Sequence, residues 1–152
     1  MPTVLALYRT LSKVPAGRTL FSVAFARKAP YFRSIRPRFR DVRPHYAELV
    51  LPDRKAVHNH IGTVHAIAAC NGLEAAMGAL AEATVPAGKR WLPKAMEVEY
   101  VAKATSDLVC VAQTQAQDWA GDPDVPVQVT ATRDDGTVVV RGVIHLWVTE
   151  RR

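Results

Sequence analysis

Residues 66–81 carry only two polar side chains, Asn71 and Glu74. Folded as a helix, this run is apolar nearly all round, and such a helix is normally enclosed by other structure. A carboxylate held there must be paired, kept neutral or put to use. Just upstream lies Asn59-His60-Ile61-Gly62-Thr63-Val64-His65-Ala66, a Gly- and His-containing turn whose backbone N–H groups point out of the helix start. Donors of that kind stabilise a developing oxyanion, while a carboxylate activates water or attacks directly. Side by side, these are the parts of an acyl-transfer site.

The elements that must position these groups belong to one domain-sized chain of 152 residues, 49% hydrophobic and 22% charged. That composition is globular, not disordered. Cys70 and Cys110 both fall in apolar segments and read as small core residues of a reducing compartment. The opening stretch, residues 1–9, has no basic leader and is a poor signal peptide. No apolar run reaches the roughly 18 residues of a membrane span, so a cytoplasmic location is expected. The net charge of +6 is uneven: residues 1–60 hold twelve Lys/Arg against three Asp/Glu, and residues 61–152 hold eight against eleven. Arg27, Lys28, Arg33, Arg36, Arg38, Arg40 and Arg43 stand against Asp41 alone, a surface suited to an anionic partner.

Hydrophobic spacing predicts two short amphipathic helices in residues 1–29, broken around Pro15-Ala16-Gly17. Pro30, Pro37 and Pro44 make the Arg-rich stretch extended or looping. Strands follow at residues 46–51 and 56–58, then a long helix over residues 63–84 closed by Pro86-Ala87-Gly88. Four more strands come in succession. Met96, Val98 and Tyr100 alternate with Glu97 and Glu99, and residues 108–115 form the next strand. Residues 125–132 and 138–148 pair across Asp134-Asp135-Gly136-Thr137, a hairpin signal, and Gly142 is read as a bulge or bend. The organisation expected is a basic helical or extended segment, residues 1–44, packed on a domain of residues 45–152. A lone apolar helix among antiparallel strands has one economical solution, an α+β fold in which a curved sheet wraps the helix.

This arrangement resembles the hotdog fold, and the helix-start residues make the chain similar to thioesterases of the phenylacetate-pathway (PaaI-like) type. Asn59, Gly62, His65 and Glu74 fall at that group's spacings. The wider context, with Lys94-Ala95-Met96-Glu97-Val98-Glu99-Tyr100 downstream, resembles a branch known mainly as a domain of unknown function. Ala66-Ile67 replaces the Gly-Gly that commonly follows the His, and Glu74 replaces the commoner Asp. The resemblance implies hydrolysis of acyl-CoA or acyl-carrier-protein thioesters, with coenzyme A present only as part of the substrate.

Helical geometry adds a condition. His65 and Glu74 are nine residues apart, so on one helix they differ by about half a turn and ~13 Å of rise. Both can serve one reacting carbon only in a homodimer, or a dimer of dimers, with two central helices antiparallel. In that reading the N–H of Ala66, with that of His65 as a second donor, holds the oxyanion. Glu74 of the partner is general base or nucleophile, Asn59 orients water or the loop, and Gly62 shapes the turn. His65 is read chiefly as a loop-shaping residue.

Arg90, Lys94 and Lys103, with the Arg33–Arg43 group, are candidates for the CoA phosphates. No metal is expected, because the His58-Asn59-His60 triplet lacks a Cys or carboxylate nearby in sequence. Nucleic acid is a poor partner, since the basic patch lacks an interleaved aromatic platform. A non-catalytic acyl- or lipid-binding protein is the competing reading, and the basic N-terminus offers a face to anionic membrane in either case.

Overall fold

The computed structural model describes residues 3–151; Met1 and Pro2, at the head of the stretch read as a poor signal peptide, and Arg152 lie outside the described residues. The N-terminal helices form as expected. Helix α1 (Val4–Leu11) starts at Thr3, whose hydroxyl accepts the N–H of Ala6 at 3.2 Å, satisfying one of the free donors of a helix start. Helix α2 (Gly17–Lys28) follows a break at Ala16, which adopts φ 59°, and ends on Arg27 and Lys28, charges that suit a helix C-terminus. The helices are pinned by an aromatic cluster: Phe21 meets Tyr8 and Phe39 edge-on at 5.0 and 5.2 Å, and Phe25 meets Phe39 at 4.7 Å.

Phe39 belongs to β1 (Arg38–Arg43), which pairs antiparallel with β2 (Tyr46–Leu51). Sequence pattern hides β1 because a bulge between Phe39 and Asp41 puts Phe39 and Val42 on the inner face three residues apart, which breaks the two-residue period. The strand expected at residues 56–58 does not form. Its place is taken by a 3-10 turn at Lys55–Val57 and a single bridge between His58 and Val64. The Asp53 carboxylate ties back to the His58 ring, and Val57 is drawn into the core. The chain therefore turns where an extended segment was expected.

Helix α3 (Ala66–Thr84) is buried on nearly every side from Ala69 to Ala81, and Leu73, Met77 and Leu80 are almost wholly enclosed. Each of these three contributes about 2 kcal/mol by leaving water. It starts three residues later than expected, because His65 is the cap and not part of the helix. The remaining strands are β3 (Lys89–Tyr100), β4 (Leu108–Gln113), β5 (Asp124–Thr132) and β6 (Val138–Glu150), and the sheet order is β1-β2-β4-β5-β6-β3, antiparallel throughout. Helix α3 packs against β1, β2, β4, β5 and β6, so the sheet must curl round it.

The expected β5–β6 hairpin is present, with Gly136 at φ 82° in its turn. Gly142 is neither bulge nor bend: it stays in register with Val129 and Val98, and a Cβ there would sit 2.0 Å from the Glu97 carbonyl oxygen. Close backbone approach, not a kink, is why glycine occupies the position. Strand β3 begins seven residues earlier than the alternation of Met96, Val98 and Tyr100 suggests. Pro93 masks its first half. The strand tolerates Pro93 through a bulge between Pro93 and Ala95 and through its place at the sheet edge. Its outer edge is unpaired along the whole strand, with Leu92 and Tyr100 exposed.

Candidate functional site

The helix start is built by Asn59. Its side-chain oxygen accepts the N–H groups of Ile61 and Thr63, both at 3.1 Å, and its amide donates to the Thr63 hydroxyl at 2.9 Å. Short polar side chains that bond nearby backbone in this way define turns. Gly62 completes the turn at φ 80°, a conformation costly for any residue with a Cβ. The Asn59 side chain thus ties the loop together through its oxygen and one of its two amide hydrogens.

His65 caps α3. Its Nδ1 accepts the N–H of Ile67 at 3.0 Å, and its backbone is extended at φ −62° and ψ 138°. Accepting at Nδ1 requires that nitrogen to be unprotonated. The backbone N–H of His65 donates to the Val57 carbonyl at 2.8 Å. The second oxyanion donor expected at His65 is therefore spent on holding the loop. The Ala66 N–H, by contrast, meets no acceptor among the described residues. It sits at the positive end of a 19-residue helix with no acidic residue in its first turn, which leaves the field of the helix uncompensated.

Glu74 lies two turns further along. It is half-buried and makes no hydrogen bond or ion pair among the described residues. It lines a cavity of about 240 Å³ together with Phe25, Phe32, Met77 and Trp91. His65 opens instead into a separate cavity of about 220 Å³ with Tyr31, Ser34, His58 and Asn71. The structure thus brings Asn59, Gly62, His65 and Ala66 together and places Glu74 apart from them.

Glu82 shares the Glu74 cavity and was not singled out from sequence. It accepts the indole N–H of Trp91 at 3.0 Å and faces Lys28 at 3.9 Å. Its spacing of eight from Glu74, about two helical turns, is the one sequence signal that points to it. Asn71, the other polar residue of the apolar run, donates to the Ser34 hydroxyl at 3.2 Å and does not reach Glu74.

The three suggested phosphate ligands are dispersed. Lys94 pairs with Asp124 at 2.7 Å and lies 4.8 Å above the Trp147 ring. That lysine, then His145, holds the Asp124 carboxyl below its ordinary value. Arg90 donates to the Thr149 hydroxyl at 3.3 Å, and the carbonyl of Lys103 accepts from Arg133 at 3.3 Å. Cys70 and Cys110 are both buried and unpaired, and burial pushes the Cys110 thiol up to about 12. No helix among the described residues is long and apolar enough to cross a membrane.

A six-stranded antiparallel sheet curled round one long central helix is the hotdog fold, in the α+β class. Residues 17–148 match the family described as domain of unknown function DUF4442, and the chain belongs to that family. The crystal structure of the structural-genomics protein APC5556 is 43% identical, with a TM-score of 0.85 over 97% of this chain and 99% of that one. A Pseudomonas aeruginosa protein of unknown function, PA5026, described as a probable thioesterase, is 18% identical with a TM-score of 0.76 over 91% and 97% of the two chains. A thioesterase family protein from Silicibacter pomeroyi is 18% identical with a TM-score of 0.69 over 86% and 99%. These last two likenesses are likenesses of fold. No curated protein matches the sequence.

Proposed function

We propose that the protein hydrolyses acyl thioesters, of coenzyme A or of acyl-carrier protein, at sites shared between two copies of the chain. The observation that carries this reading is Glu74: a half-buried carboxylate with no hydrogen bond or ion pair among the described residues, facing from the central helix a largely apolar cavity that Lys28 and Glu82 also line. A carboxylate left without a partner in a cavity is placed to act on a bound ligand. The free Ala66 N–H supplies the complementary part, and its separation from Glu74 is what calls for a second copy. The unpaired edge of β3 supports pairing, since a long open edge is a template for another strand.

In this mechanism the thioester carbonyl accepts a hydrogen bond from the Ala66 N–H of one protomer. Glu74 of the other takes a proton from water as the water oxygen bonds to the carbonyl carbon. The resulting oxyanion collapses, the C–S bond breaks, and the thiolate recovers the proton from Glu74. In direct attack by Glu74, which uses the same oxyanion contact, the C–S bond breaks and the thiolate leaves as the anhydride forms. Water then opens the anhydride, freeing the acid and Glu74, and its proton goes to the thiolate. The Phe25, Phe32, Met77 and Trp91 lining suits an apolar acyl group. The two buried, unpaired cysteines support a reducing, cytoplasmic setting.

A second reading, an acyl-binding protein without turnover, is favoured by one observation. The His65 N–H is engaged by Val57, so the donor expected beside Ala66 does not reach an oxyanion. Hydrolysis of a panel of short, long and aromatic acyl-CoAs separates the readings. Glu74→Gln is expected to lower kcat by about 10²-fold or more while the protein stays folded. Equal turnover by wild type and variant contradicts the assignment, and saturable acyl-CoA binding without turnover selects the second reading.

A further inference from the structure

Six arginines line one cavity, and none of them is in an ion pair among the described residues. The cavity, about 600 Å³, is formed by α2, the 3-10 turn at Pro30–Ser34, β1 and the segment after β2. Arg18 and Arg27 come from α2, Arg33 from the turn, Arg36 and Arg38 from the entry to β1, and Arg54 from beyond β2. No Asp or Glu lines it. The contrast with the neighbouring arginines is direct. Arg40 and Arg43, on the same strand but outside the cavity, pair with Glu48 at 3.5 Å and with Asp41 at 2.9 Å.

Two further features mark the cavity as built. Arg54 donates through Nη2 to the Ser34 carbonyl at 2.8 Å, while its Nε is buried with no partner. Burial, then the charges of Arg36 and Arg38, hold its guanidinium below the ordinary value. Arg36 adopts φ 49°, left-handed backbone that disfavours a residue with a Cβ and persists where the surroundings impose it. Converging like charges oppose folding, and an anion seated among them removes that repulsion. Ala26, Pro37, Phe39 and Pro52 supply apolar lining beside the arginines.

We propose that this cavity binds a soluble ligand carrying clustered phosphate groups, of the nucleoside diphosphate class. Guanidinium groups take phosphate oxygens through paired N–H donors, and the apolar lining receives the base. A concave site holding six unpaired guanidiniums suits a small polyanion better than a flat bilayer surface. The assignment does not rest on thioester hydrolysis, although the nucleotide end of coenzyme A belongs to the same ligand class.

Calorimetric titration of the full chain with ADP and with inorganic pyrophosphate tests it, alongside co-sedimentation with phosphatidylserine vesicles. ADP is expected to bind saturably and more tightly than pyrophosphate, with affinity falling as salt rises. Arg38→Gln and Arg36→Gly are each expected to raise the ADP Kd by about tenfold, whereas Arg40→Gln, outside the cavity, leaves it unchanged. Arg36→Gly also relieves the backbone, so its loss of binding cannot be ascribed to loss of fold. Glu74→Gln should bind ADP as wild type does, which separates this proposal from the catalytic one. Absence of saturable ADP binding, equal Kd in all variants, or binding to vesicles alone overturns it.

Discussion

The Glu74 carboxylate and the His65 imidazole are carried by one helix and its cap, yet they open into different cavities. The division follows from the position of the cap. His65 turns its Nδ1 back onto the Ile67 N–H, and Glu74 emerges about two and a half turns later on another side, against α2 and Trp91. In the proposed mechanism each chain contributes two half-sites.

If His65 serves as a cap and not as an acid or base, its replacement by another capping residue should be mild. His65→Asn is expected to keep kcat within roughly a few-fold, while His65→Ala costs about 1 kcal/mol of stability by leaving the Ile67 N–H without an acceptor. Urea denaturation and steady-state kinetics on the two variants check this. A loss of about 10²-fold or more in the stable Asn variant would point to proton transfer at the ring.

Gly142 is the position where the sheet is least able to accept a side chain. A Cβ there would meet the Glu97 carbonyl oxygen at 2.0 Å and the Val98 Cα at 2.8 Å, and both neighbours are backbone. Gly142→Ala must part β3 from β6, and it is expected to lower stability by about 3 kcal/mol. Because β3 also carries Trp91, the Glu74 cavity should lose its wall, visible as a change in indole fluorescence. A variant as stable as wild type would mean the two strands are not in this register.

The Cys110 thiol sets an alkaline limit. Burial pushes it up to about 12 from an ordinary value of 9.0. Between these values the unfolded chain has lost the thiol proton and the folded chain has kept it. The stability gained by holding the thiol neutral is therefore complete below about pH 9 and declines as pH rises toward 12. Urea midpoints from pH 8 to 10.5 are expected to fall more steeply for wild type than for Cys110→Ala. Parallel profiles would show that the thiol is not the titrating group.

The apolar run of α3 and the Asp-Gly hairpin were legible because each is a local pattern with a single period. Strand β1 was not, since its bulge places Phe39 and Val42 three apart and its other positions are largely arginine. The first half of β3 was hidden by Pro93, which only an edge strand with a bulge accommodates. At the site, the cluster of residues 59–66 could be read because it is contiguous. The contact between Glu82 and Trp91 requires α3 and β3 to be packed, and no short-range pattern announces it. Arg54 is likewise separated by β2 from the arginines it joins.

The central claim is that a working site takes Ala66 from one chain and Glu74 from another. Ala66 is the first residue of α3, and His65 before it is extended, so proline fits at position 66 and removes one N–H without breaking the helix. Ala66→Pro and Glu74→Gln are each expected to reduce thioester hydrolysis by about 10²-fold or more. Co-expressed with different tags and purified as heterodimers, the two variants should together recover about half the wild-type activity, since one of the two sites is then intact. Heterodimers as inactive as either parent would contradict the shared site.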